Sequence, residues 1–235
     1  VVRKTDAGQT AELTTLNESD LGEGDVTVAV EYSAINYKDG IAISGRGNII
    51  QKFPLVPGID LSGTVSASAN PAVAPGDRVV IHGWGLGASH NGGFAQRARV
   101  PAQWLTLLPE NISTWQAAAI GTAGFTAMLS VLALEHNGVV PASGDILVTG
   151  ANGGAGSVAI ALLAKLGYRV VASTGRLTET SYLKSLGAAE VIDRHTLSQP
   201  SDHPIQPERW AGAIDSVGSH TLVNVLARTR YGGTV

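Results

Sequence analysis

The chain contains no cysteine. That absence excludes disulfides and thiolate zinc sites together. Charge is also sparse: Asp, Glu, Lys and Arg make up 15% of the 235 residues, and aromatic residues 5%. So thinly charged a surface is readily covered by partners. The net charge is −3 with no basic run, which argues against nucleic acid as a partner. One uncharged stretch, 111–134, has the length of a membrane span. Gly121, Thr122, Gly124, Thr126 and Ser130 dilute it, so it reads as a pair of buried helices at a domain junction rather than as a span.

What is present centres on ILVTGANGGAG, residues 146–156. Ile146, Leu147 and Val148 read as a buried strand, and an uncharged helical run begins at Ser157. Strand, glycine turn and helix together lay a pyrophosphate on a helix N-terminus, where free N–H groups and the helix dipole attract it. Strands at 146–149, 168–173, 190–192 and 211–216 alternate with helices at 155–166, 178–186 and 219–229, and a polar loop covers 195–208. This rhythm predicts an α/β fold with a doubly wound, Rossmann-type parallel sheet. The sequence starts at Val1 rather than methionine and stops in a strand-like Tyr231-Gly-Gly-Thr-Val235. We therefore expect a piece of a longer protein.

Residues 1–110 read as a β-rich, barrel-like unit with many turns, including short strand-like runs at 94–100 and 103–108. A strand at 25–35 leads into the polar turn Asn36-Tyr37-Lys38-Asp39-Gly40. Tyr37 and Lys38 can supply a proton or bind an anion, or can be ordinary turn residues. Asp60 lies among apolar neighbours and needs a partner if buried. It is a site carboxylate or a structural acceptor. The loop 82–93 carries His82 and His90 without further ligand spacing, so no metal is expected. Ser113 and Gln116 have capping-box spacing at the start of the uncharged helices. There Thr122 and Thr126 bind a ligand or bond back to the helix.

The second strand of the α/β half ends Ser173-Thr174-Gly175-Arg176, with no carboxylate where an NAD-binding unit keeps its ribose acid. Thr174 can donate to a 2′-phosphate and Arg176 can pair with one. NADPH is the expected cofactor.

These segments resemble the medium-chain dehydrogenase/reductase superfamily. Within it NYKDG, FPLVPGIDLSGTV, GWGLG, GTAGFTAML, STGR, YLKSLGA and YGG are similar to the zinc-free, quinone-oxidoreductase-like acrylyl-CoA reductase branch. The resemblance implies a GroES-like catalytic domain over 1–112, and junction helices with a Rossmann NADPH-binding domain over 113–235. It further implies a cytoplasmic homodimer that reduces acryloyl-CoA to propanoyl-CoA. Tyr37 matches a cofactor-contacting tyrosine. Gly153, Gly154, Ala155 and Gly156 match the phosphate loop, and Thr174, Gly175 and Arg176 the 2′-phosphate loop. Asn36, Asp39 and Asp60 match polar cleft residues and are taken with Tyr37 as catalytic candidates. Thr122, Thr126 and Ser216 complete the cofactor set. A CoA substrate needs basic groups at its entrance, and Arg46, Lys52, Arg97 and Arg99 are available. The competing readings are an NADPH-dependent quinone or enone reductase and a non-catalytic NADPH-binding protein.

Overall fold

Alternating apolar residues build the first of two units, Val1–Thr122, in the computed structural model, which describes residues 1–6, 8–200 and 206–235. A hairpin of β1 (Val2–Thr5) and β2 (Gly8–Ala11) opens the chain. Next come β3 (Val26–Tyr32), α1 (Tyr37–Ser44), β4 (Asp60–Ser68), β5 (Arg78–His82), β6 (Arg97–Val100) and β7 (Thr106–Leu107). The last five of these strands form an antiparallel sheet in the order β6-β3-β4-β5-β7. Every second residue enters its core: Val26 and Val28, Val79 and Ile81, Ala98 and Val100. In β4, Leu61 and Val65 follow the same rule. The intervening Asp60 and Ser62 are nevertheless buried, on the opposite face.

Two expectations change here. The polar turn at 36–40 is the start of a helix. Asn36 N donates to Asp39 Oδ2 at 2.9 Å and Asp39 N to Asn36 O at 3.0 Å, so the Asn-x-x-Asp spacing caps α1. The strand expected over 103–108 shrinks to the two residues of β7. Ala102–Trp104 form a 3-10 turn that places Trp104 against the core, stacked on Trp84 at 6.0 Å.

The long helix α2 (Thr114–His136) crosses the division between the units. Its capping box is as expected: Ser113 N donates to Gln116 Oε1 at 2.9 Å, and Gln116 N to Ser113 Oγ at 3.2 Å. By length and composition α2 could cross a membrane. Gly121, at φ 54 and ψ −169, breaks it. The longer arm, 122–136, spans about 22 Å at ~1.5 Å per residue, short of a hydrocarbon core of ~30 Å. The helix is also less buried than expected, with only 33% of its most apolar window covered.

The second unit, Ala123–Val235, alternates β8 (Asp145–Val148), α3 (Gly154–Lys165), β9 (Arg169–Thr174), α4 (Thr180–Ser185), β10 (Glu190–Asp193), α5 (His195–Ser198), β11 (Trp210–Ile214), α6 (Ser219–Arg228) and β12 (Thr229–Thr234). All strand pairs are parallel, in the order β10-β9-β8-β11-β12. Counted within the unit this is 3-2-1-4-5, the doubly wound order, with the topological switch between β8 and β11. The uninterrupted apolar runs follow from burial on both faces. Ile146, Val148, Val170 and Ala172 meet Ile160 and Leu163 of α3, while Leu147 and Val171 meet Leu197 and Val225. The loop expected over 195–208 begins instead with the short α5; residues 201–205 of it lie outside those described.

The backbone at Gly121 belongs to a region that only glycine occupies comfortably, and a Cβ there would lie 3.3 Å from that of Ala34. Gly121→Ala should therefore destabilise the fold by about 1–3 kcal/mol. Urea unfolding checks this; an unchanged midpoint would show that the break tolerates a side chain.

Candidate functional site

In the first unit the candidate residues converge on one carboxylate. Asp60 is 2% exposed. Its Oδ1 accepts from Ala34 N at 2.8 Å. Its Oδ2 accepts from Asn36 Nδ2 at 2.9 Å, Thr122 Oγ1 at 2.9 Å and Thr122 N at 3.3 Å. Thr122 N is available because the helical backbone is interrupted at Gly121. Across the β4–β5 ladder Asp60 is paired with His82. Burial pushes the His82 ring below its ordinary value, against the raising effect of the Asp60 charge. The carboxylate is thus met by N–H and O–H dipoles.

Asp39 is equally enclosed, at 1% exposed. Its Oδ1 accepts from Ile59 N at 3.0 Å, and its Oδ2 from Asn36 N. Burial pushes the Asp39 carboxyl above the ordinary carboxylate value. Hydrogen bonds from Asn36 and Ile59 oppose that shift, and the Asp60 charge adds to it. Neither aspartate has an oxygen left in an open cleft. Both hold the entry to α1, and Asn36 is held with them through its side-chain amide. Tyr37, at the first helical position, is 88% exposed, and its hydroxyl has no partner among the described residues. Of the four catalytic candidates, only Tyr37 presents a free proton-bearing group to solvent. His90 is a structural residue: its ring nitrogens lie 2.9 Å from the carbonyl oxygens of Asn91 and Glu23, and its edge meets Trp104 at 5.0 Å.

In the second unit a cavity of about 550 Å³ opens at the carboxyl ends of the strands, where a doubly wound sheet binds ligands. Its wall takes Thr149, Gly150, Asn152 and Gly153 from the turn after β8, and Ser173, Thr174, Gly175 and Arg176 from the end of β9. Arg194 follows β10, and Ser216 follows β11. The glycines are needed for close packing. A Cβ on Gly156 would lie 2.5 Å from the Gly150 carbonyl oxygen, and one on Gly150 2.4 Å from Ser216 Oγ. Ser216 Oγ in turn donates to Thr149 O at 3.1 Å, which fixes the turn. The first N–H groups of α3, from Gly154, Ala155 and Gly156, have no partner within the helix. The Ser173 hydroxyl is buried without a partner among the described residues.

The 2′-phosphate loop differs from expectation in one respect. Thr174 is 4% exposed; its hydroxyl donates to Asn152 Oδ1 and accepts from Arg176 N at 2.9 Å. It shapes the loop instead of reaching outward. The donor that sequence reasoning missed is Arg194. Its N donates to Thr174 O at 2.9 Å, and a Cβ on Gly175 would strike its Nε at 2.7 Å, so its side chain lies across that glycine. Arg194 stands 18 residues after Arg176, and only the β9–β10 pairing brings them together. Asp193, beside it, is turned onto His195, whose hydrogen bonds hold its carboxyl below the usual range. Among the described residues, two guanidinium groups and no carboxylate line the cavity. That set of donors fits a nucleotide bearing an extra phosphate. Thr126 lies exposed on α2, outside this wall.

Removing either arginine tests the fit. Arg176→Ala and Arg194→Ala should each weaken NADPH binding about tenfold or more, as expected for a lost charge-assisted bond, with NADH affinity within about twofold. Titration of both nucleotides decides; equal losses for the two would assign the arginines to the adenine or ribose. Asp60→Asn turns an amide toward donors and should cost about 1–3 kcal/mol in urea unfolding; unchanged stability would contradict the role given to that carboxylate.

Residues 22–110 match the alcohol dehydrogenase GroES-like domain. The acrylyl-CoA reductase AcuI of Ruegeria pomeroyi is 50% identical, over 100% of this chain and 72% of its own length. The crystal structure of E. coli YhdH with bound NADPH superposes with a TM-score of 0.95 at 51% identity, covering 99% of this chain and 71% of that one. Bacillus subtilis YhfP, with NAD bound, gives 0.93 at 44% identity, covering 99% and 70%. The chain belongs to the acrylyl-CoA reductase branch of the medium-chain dehydrogenase/reductase superfamily.

Proposed function

We propose that the protein reduces the C=C bond of acryloyl-CoA, or of a closely similar α,β-unsaturated acyl-CoA, with NADPH. The observation that carries this is the 50% identity to an acrylyl-CoA reductase over the whole chain. The pair of arginines at the nucleotide cavity supports NADPH over NADH. The resemblance further carries the reading of a cytoplasmic homodimer.

The cavity residues would hold the cofactor as follows. The N-terminus of α3, with Gly153, Gly154, Ala155 and Gly156, takes the pyrophosphate. Arg176 and Arg194 take the 2′-phosphate, and Thr174 and Ser216 keep the loops in place. NADPH, when bound, supplies the hydride that this reaction adds at the β-carbon of the substrate. The protein must orient the thioester, stabilise negative charge on its oxygen and deliver a proton to the α-carbon. At the entry to α1 the available groups are the Tyr37 hydroxyl and the N–H groups of Tyr37 and Lys38, which have no partner within the helix. Asn36, Asp39 and Asp60 act on the reaction through Tyr37, as positioning residues.

Turnover of acryloyl-CoA, a soluble quinone and a simple enone, followed by NADPH absorbance, tests the assignment. Acryloyl-CoA should have the highest kcat/KM, and a preference for the quinone would overturn it. Tyr37→Phe should lower kcat about 100-fold if the hydroxyl is the acid. Normal turnover in that variant would hand protonation to water.

A further inference from the structure

The C-terminal end of α1 gathers cations that have no ion-pair partner among the described residues. Of the four basic residues considered as an entrance for CoA, Arg97 is engaged in an ion pair with Glu18, and Arg99 is half-buried in β6. Arg46 and Lys52 are exposed. Arg46 follows Gly45, which ends α1 in a left-handed conformation at φ 69. Gln9 of β2 reaches this same end: its Nε2 donates to the carbonyls of Ala42 and Ile43, the latter at 3.1 Å. Lys4 is the cross-strand partner of Gln9 in the β1–β2 hairpin, so its side chain leaves the same face about 5 Å away. Lys52 immediately precedes Phe53, which packs against the cluster of Val2, Leu55 and Ala42 of α1. Lys4, Arg46 and Lys52 are exposed, and none of them forms an ion pair among the described residues. Asp6, at the hairpin turn, is the acid nearest in sequence to Lys4.

We infer that Lys4, Arg46 and Lys52 form the docking site for the phosphate-bearing end of the CoA substrate, at the far end of α1 from Tyr37. The inference rests on the acyl-CoA reading above and specifies how that substrate is told from a small enone. The eight residues of α1 span about 12 Å at ~1.5 Å per residue. An extended pantetheine arm bridges that distance, so a thioester at Tyr37 can leave its phosphates beyond Gly45. Three exposed cations make a local positive field for a multiply charged anion. A quinone or enone has no group for it.

The test compares acryloyl-CoA with acryloyl-N-acetylcysteamine, a thioester without phosphates, at saturating NADPH. In the triple variant Lys4→Gln, Arg46→Gln, Lys52→Gln, KM for acryloyl-CoA should rise about tenfold with kcat nearly constant, and KM for the short thioester should stay within about twofold. In the unmodified enzyme added salt should raise KM for acryloyl-CoA and leave that of the short thioester unchanged; this arm needs no variant to fold. Equal shifts for both substrates, or none in either arm, would overturn the docking site while leaving the reductase reading intact. Failure of the unmodified enzyme to turn over acryloyl-CoA while reducing the short thioester would overturn both.

Discussion

A buried carboxylate without a cationic partner must be surrounded by donors, and the Asp60 side chain meets that demand with groups from two distant stretches of chain. Ala34 and Asn36 come from the link between β3 and α1, Thr122 from the broken helix, and Asp60 itself from the first position of β4. Removing one donor would leave charge uncompensated where water does not reach. The position of Tyr37 depends on this arrangement, because Asn36 immediately precedes it and is held at both backbone and side chain. The break at Gly121 belongs to the same arrangement, since a continuous helix would have tied up the Thr122 amide. Asp39 performs the second half of the task from inside the helix, binding Ile59 just before β4.

The second unit depends on topology rather than on a single charge. A parallel sheet wound to both sides leaves its loops at the carboxyl ends free to converge. Here four successive loops supply one wall of the nucleotide cavity. At 150 and 156 a neighbouring side chain or the backbone leaves no room for a Cβ, and glycine is required there. The result is a site whose attraction for anions comes from unpaired amides at one end and guanidinium groups at the other.

Much of this was legible in the residues. The alternation at 26–30 and the apolar runs at 146–148 and 170–172 yielded the strands because burial on one face or two imposes those patterns. The glycine turn and the missing acid after β9 pointed to NADPH. The helix at 37–44 was hidden by its polar start, although the Asn36-x-x-Asp39 spacing was a usable capping signal. The roles of Asp39 and Asp60 were not legible, because a carboxylate among apolar residues looks alike whether it meets a substrate or backbone amides. The donors to Asp60 lie 24 to 62 residues away, and Ile59 lies 20 residues from Asp39. Arg194 was missed for a similar reason: it stands 18 residues after Arg176, beyond the next strand. Only the pairing of that strand with β9 places the guanidinium over the nucleotide cavity.

That placement has a consequence for how such an enzyme can diverge. Arg194 lies against the bare backbone of Gly175, so any side chain at 175 occupies the volume its guanidinium needs. Nucleotide preference can then drift through a residue that itself offers no charge and no hydrogen-bonding side chain. Two lineages can retain the same pair of arginines and still differ in the nucleotide they select, according to whether one methyl-sized space is left vacant.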